Sequence, residues 1–442
     1  MKRSRIGIPA LLAVLVLGAL ALWPAYVRRQ SDGAHAAGLP TAAPVIADYT
    51  ERDRTIAFWQ GMVRKHLTED MLSPRKLAEQ YLQRYRERGD IGDVLRAEAA
   101  AKTSLAVMPR HNMAAELQLA SVYLTLHRFH DALALTRDVA SYDRGDPGIG
   151  VREATLEMEI GEYDAARTEL DAVPLKSRDD AWRVVESRYL ELTGHLAQAR
   201  DLLDRAAAYQ NAVLDVPAQS RAWYDFRQGE MAFEAGDNDA ALAHERHALE
   251  IFPAFADASR ALARFECALK QWPACLADAT RSANEVPYPE TLGYEVDAQR
   301  ALGDPSAAAR TDDLIRTVEK IGNAQHISDR LLAIYYSEHR ERTADAYAIA
   351  RRELTVRDDI LTQDTLAWAA AMDGRWDVAR AASARALRFD TEMSLLQYHA
   401  GVIAQHFGER DAAKRRFERA LALNPSFHAV YADDARARLA AL

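Results

Sequence analysis

Two histidine pairs and two cysteines are the residues whose types and spacing could support chemistry in this chain. His127 and His130, and His244 and His247, each stand three apart. On a helix that spacing puts both imidazoles on one face, which supplies two metal ligands. A metal site needs a third or fourth ligand, and none is evident beside either pair. Neighbours such as Glu245 and Arg246 favour solvated histidines instead. Cys267 and Cys275 form no CxxC pair, so structural zinc and thioredoxin-like exchange have no support. The chain has no GxSxG, HExxH, GxxxxGK[ST] or GxGxxG pattern, and Gly148-Ile149-Gly150 lacks the third glycine of a dinucleotide loop. The expectation is a protein with no catalytic residues, no metal and no cofactor, with a metal-handling role for the paired histidines as one alternative.

The elements that would carry these residues are helices. Apolar residues make up 49% of the chain but aromatics only 8%, alanine is common, and runs of Val, Ile and Thr are scarce. Net charge is −9. The first 30 residues carry Lys2, Arg3, Arg5, Arg28 and Arg29 and no acid, so the body is more acidic still. An acidic body argues against nucleic acid as a partner, since that surface needs a basic face.

Small residues recur at fixed offsets. Gly229, Gly236, Ala241, Ala248 and Pro253 have matches 172 positions later at Gly401, Gly408, Ala413, Ala420 and Pro425. Gly374, Ala379 and Ala386 recur 34 residues on at Gly408, Ala413 and Ala420. A 34-residue period built this way resembles the tetratricopeptide repeat (TPR), a pair of antiparallel helices, A and B. Small side chains let the two helices approach closely, and proline ends helix B. The clearest units are 222–255, 256–289, 360–393 and 394–427, and looser ones bring the total to about nine or ten. HEAT and armadillo repeats are longer, at ~40–47 residues. The stretch from Asp364 to Phe427 is also similar to the C-terminal part of a group of exported bacterial TPR proteins.

The implied fold is all-α: a TPR-like helical-hairpin solenoid, a right-handed superhelix, with an N-terminal transmembrane helix. The expected organisation is a signal anchor at 1–30, a flexible linker at 31–50, a leading helix at 51–74, the solenoid at 75–425 and a C-terminal cap helix at 426–442. Ser73-Pro74 reads as a helix start. Ile6–Val27 contains no charge and is long enough to cross a hydrocarbon core of ~30 Å. Lys2, Arg3 and Arg5 before it should stay in the cytoplasm and send the body outward. Ala19-Leu20-Ala21 offers signal cleavage, with release to the periplasm, as the alternative.

The resemblance also implies where a partner binds. In TPR proteins, peptide contacts come mostly from helix A. Carried onto this chain, those positions are Trp223, Phe226, Glu230 and Phe233 in one unit, Arg260 and Arg264 in the next, and Trp368 and Tyr398 near the C-terminus. Aromatics beside charges would give a peptide-reading groove its area and its orientation. Cys267 and Cys275 flank one hairpin turn; a disulfide is conceivable there, and so is a buried Cys275 standing in for alanine. The expected function is a membrane-tethered scaffold or adaptor for a protein or peptide partner outside the cytoplasm. An accessory subunit of a membrane assembly is the alternative.

Overall fold

A computed structural model describes residues 49–65, 69–143, 145–213, 216–324 and 330–442. The apolar stretch Ile6–Val27 and nearly all of the 31–50 linker lie outside them. Among the described residues no helix is long and apolar enough to cross a membrane.

The described chain is helical, with no strand, and its helices follow one another across short turns. They are α1 (Tyr49–Arg64), α2 (Leu72–Arg88), α3 (Ile91–Val107), α4 (Met113–Thr125), α5 (Phe129–Tyr142), α6 (Pro147–Glu159), α7 (Tyr163–Ala172), α8 (Asp180–Leu192) and α9 (Leu196–Ala212). Next come α10 (Ala218–Glu234), α11 (Asn238–Ile251), α12 (Ala256–Ala268), α13 (Trp272–Glu285), α14 (Pro289–Ala301), α15 (Pro305–Ala324) and α16 (Arg330–Glu338). The last are α17 (Thr343–Glu353), α18 (Ile360–Met372), α19 (Trp376–Ala386), α20 (Ser394–His406), α21 (Arg410–Leu423) and α22 (Tyr431–Ala441). The chain divides into two compact units, Met1–Tyr189 with Leu202–Arg221, and Leu190–Asp201 with Ala222–Leu442.

Local chemistry sets the helix ends. Asp90, Asp146 and Asp359 each accept backbone N–H groups at the starts of α3, α6 and α18. The start signal read at Ser73-Pro74 is displaced. Asp70 accepts the N–H groups of both Leu72 and Ser73, so α2 begins at Leu72 and Ser73 lies inside its first turn. The carboxylate satisfies those orphan donors before a serine cap is needed. The turn between paired helices often needs a left-handed residue, as at Gly236 (φ +77°) and Gly408 (φ +75°).

Packing explains the period. Ala241, Ala248, Ala413 and Ala420 are fully buried between paired helices. At Gly401 a Cβ would lie 2.6 Å from the Phe417 ring, so only glycine permits this approach. The second unit also joins its first hairpins to its last. Thr391 Oγ1 donates to the Leu192 carbonyl, and the Leu196 N–H donates to Glu392. Asn424 Nδ2 donates to the Phe233 carbonyl, and a Cβ on Gly236 would stand 2.6 Å from the Leu423 carbonyl oxygen.

Candidate functional site

The first helix of each hairpin lines the inner side of the second unit. α12 packs on α14, α14 on α16, α16 on α18 and α18 on α20, besides each packing on its own partner. Helices that also touch across repeats are the ones crowded to the inside of a bend.

The aromatics expected to grip a partner are core residues. Trp223, Phe226, Phe233, Trp368 and Tyr398 are all buried. Phe233 stacks on Phe265 with ring centroids 4.3 Å apart, and Phe226 meets Phe255 edge-on at 5.7 Å. Trp223 lies edge-on to Tyr224, and Trp368 stacks on His399 at 4.1 Å. Tyr398 stacks on Tyr431 and donates its hydroxyl to Asp434. The physical reason is the closeness of adjacent inner helices: an aromatic there meets the next repeat before it meets solvent.

Glu230, Arg260 and Arg264, the charged members of the expected set, are ion-paired on α10 and α12, and Arg260 is buried. Arg264 bridges Glu230 at 3.0 Å and Glu234 at 3.5 Å. Arg260 bridges Asp257 at 3.4 Å and Glu290 at 3.1 Å. The Arg264 guanidinium lies 4.9 Å above the Phe233 ring and 5.0 Å from that of Phe265. The buried rings are therefore the floor, and the ion pairs are the layer above it. Arg264 is 24% exposed and Glu230 18%, so this layer is the part that a partner can reach.

Further residues extend the layer. Tyr294 donates its hydroxyl to Glu290, and His339 pairs with Asp297 at 2.9 Å. His428 Nε2 lies 3.9 Å from Glu338, the last residue of α16. The His428 Nδ1 accepts the N–H groups of Val430 and Tyr431 and so starts α22. Sequence reading missed these residues because the repeat at 290–322 loses its pattern after Ala308, the repeat at 325–358 lacks a closing proline, and His428 lies beyond the last clear repeat. The spacing of Glu290, Tyr294 and Asp297 on one helical face was the available signal.

Burial shapes the charge states. Desolvation raises Glu234 to about 7, against the pull of Arg264. Desolvation likewise raises Glu338 to about 8; Glu290 and Asp297 add to the rise and His339 opposes it. Burial works against protonated Arg260 and Arg264, yet the surrounding carboxylates hold both firmly charged. Burial also pushes the His428 imidazole down to about 4, which keeps its Nδ1 free to accept.

The histidine pairs take different roles. His244 and His247 both turn Nδ1 toward one oxygen of Asp225, at 3.2 and 3.0 Å. His127 stacks on Phe129. Among the described residues no group of three or more His, Cys, Asp or Glu side chains is arranged to hold a metal ion. Cys267 and Cys275 are joined by a disulfide across the turn between α12 and α13, with Cα atoms 5.2 Å apart.

A tetratricopeptide-repeat family model matches residues 123–185. No curated protein matches the sequence. Among solved structures, the human IFIT1 dimer with PPP-AAAA is similar at 12% identity, covering 85% of this chain and 87% of that one, with a TM-score of 0.44. A tetratricopeptide-repeat protein from Parabacteroides merdae has 14% identity, covers 54% of this chain and 92% of its own, and has a TM-score of 0.37. PilW, a type IV pilus biogenesis factor, has 17% identity, with 55% and 91% coverage and a TM-score of 0.31. The matched segment runs from the end of α4 into α8, and over it the chain carries tetratricopeptide repeats.

Proposed function

We propose that this protein is a non-enzymatic scaffold that holds an extended segment of a partner protein against the inner face of its second unit. The observation that carries this reading is the charged layer on α10, α12, α14 and α16: ion pairs, half-buried at Arg264–Glu230 and deeper at Arg260–Glu290, fixed above an aromatic floor. Such a surface is organised before a partner arrives, which lowers the ordering cost of binding. Its ion pairs set orientation and register more than raw affinity.

The extracytoplasmic placement belongs to the same proposal. The uncharged stretch Ile6–Val27 and its basic flank support a tether with the body outside the cytoplasm. The Cys267–Cys275 disulfide supports it too, since such bonds persist in oxidising compartments.

The test is partner capture by the full chain in its own membrane. Arg264→Gln and Glu230→Gln should each reduce capture, whereas Arg281→Gln on α13, an exposed control, should leave it unchanged. Equal capture by all three variants would remove the inner face as the binding surface.

A further inference from the structure

The charge balance of the inner face bears on what a partner must bring, an inference that rests on the reading above. Arg264 is shared between Glu230 and Glu234, and Arg260 between Asp257 and Glu290, so two guanidiniums serve four carboxylates. Arg330 adds one positive charge, felt at Glu290. Glu338 is a fifth acid; the cationic His339 next to it opposes the rise of its carboxyl but is itself paired with Asp297. The one side chain that faces the Glu338 carboxyl oxygen as an ion-pair partner within 4 Å among the described residues is His428 at 3.9 Å, an imidazole whose Nδ1 is already committed as an acceptor. Glu338 also ends α16, where the helix dipole disfavours a negative charge.

An independent observation lies under the same face. Glu245 on α11 is fully buried, and neither of its carboxyl oxygens has a hydrogen-bond partner. It reaches toward α10 at Gly229, where a Cβ would stand 2.3 Å from its Oε1. That places it beside Glu230, and it feels Glu230, Arg260 and Arg264. The residue 172 positions later, in the equivalent repeat, is the fully buried Phe417. One repeat fills this place with a phenyl ring, and the other keeps an unpartnered acid. Packing alone would select the ring, because a buried polar group without a partner costs stability.

We propose that the inner face of the second unit receives an extended peptide segment bearing lysine or arginine, with one cationic side chain at Glu338 and another at the Glu230–Glu234 pair above Glu245. A cation at Glu338 supplies the charge-assisted hydrogen bond that this carboxylate lacks. It also lies close to Tyr431, whose hydroxyl is 3.5 Å from the Glu338 carbonyl oxygen and whose ring stacks on His428. A cation at the second position lets Arg264 serve one carboxylate in place of two.

The test is calorimetric titration of the full chain with three probes: an acetylated peptide alternating glycine and lysine, the same peptide with glutamate for lysine, and spermine. The lysine peptide should bind, more weakly at high salt, and Glu338→Gln and Glu234→Gln should each weaken it about tenfold, the size of one charge-assisted hydrogen bond. Neither variant should melt at a lower temperature without peptide, since burial already holds both carboxyls close to neutral and glutamine keeps their shape. Equal or tighter binding of the glutamate peptide would overturn the cationic assignment and leave the groove standing. Spermine as tight as the lysine peptide would replace the peptide with a small polycation and overturn the proposal. Lysine-peptide binding that ignores both variants would place it elsewhere on the acidic surface, and no binding by either peptide would remove the proposal and the groove together.

Discussion

Replacing Glu245 with methionine should stabilise the protein. The side chain is fully buried, its two carboxyl oxygens have no partner, and burial together with the Glu230 charge pushes its carboxyl well above the ordinary value of 4.5. A buried polar group without a hydrogen bond costs about 1–3 kcal/mol. Methionine is close in volume, so the gain is not lost to a cavity or to overpacking. At about 2–4 °C per kcal/mol for a unit of this size, Tm should rise by about 2–12 °C. Glu245→Gln keeps a polar group and should gain much less. The pH dependence gives a second readout. Because the folded pKa lies above the unfolded one, the folded chain keeps a proton that the unfolded chain releases. That contribution is fully present below pH 4.5 and declines as pH rises toward the folded pKa. The advantage of methionine should therefore grow with pH. Thermal and urea unfolding at pH 4.5, 6 and 8 measure both effects. A methionine variant less stable than the parent, or a gain that is the same at all three pH values, would refute the reasoning.

Three further outcomes are expected. Gly401→Ala should lower stability by about 1–3 kcal/mol through the Phe417 ring, offset in part by about 1 kcal/mol of helix propensity, and Phe417→Leu should recover the loss in thermal unfolding. Phe233→Ala should cost about 3–5 kcal/mol in urea unfolding, because this ring is stacked core and not a grip on a partner. Reducing the Cys267–Cys275 bond should lower stability by about 2–3 kcal/mol in the chain-entropy picture, and a Cys267→Ser variant should melt at the same temperature with or without reductant.

The helical hairpins were legible in the sequence because their packing fixes side-chain size. Ala241, Ala248, Ala413 and Ala420 sit where two helices leave room for one methyl group, and that constraint writes a period into the chain. The inner face of the second unit was legible only in its charges. Glu230, Arg260 and Arg264 form ion pairs on the helices where the repeat positions put them. Phe226 and Phe233 fall on helix A positions that point inward, but repeat spacing does not say how closely the next helix A comes, and here Phe255 and Phe265 cover them. Glu338 and His428 were hidden for another reason. One ends a helix in a repeat without a closing proline, and the other lies in the turn before α22, so only the folded chain brings them within 3.9 Å. The bond between Cys267 and Cys275, which spacing left open, was settled by the geometry of the turn that joins their helices.

Site-specific photo-crosslinking in the cells that make the protein tests the inner face most directly. A cross-linking residue at Arg264 or Glu338 on that face is compared with one at Arg281 or Lys414, both exposed on the second helices of their hairpins. A discrete partner adduct from the inner positions, absent from the outer ones, is the expected result. Adducts that form equally from both sets, or only from the outer helices, would contradict it.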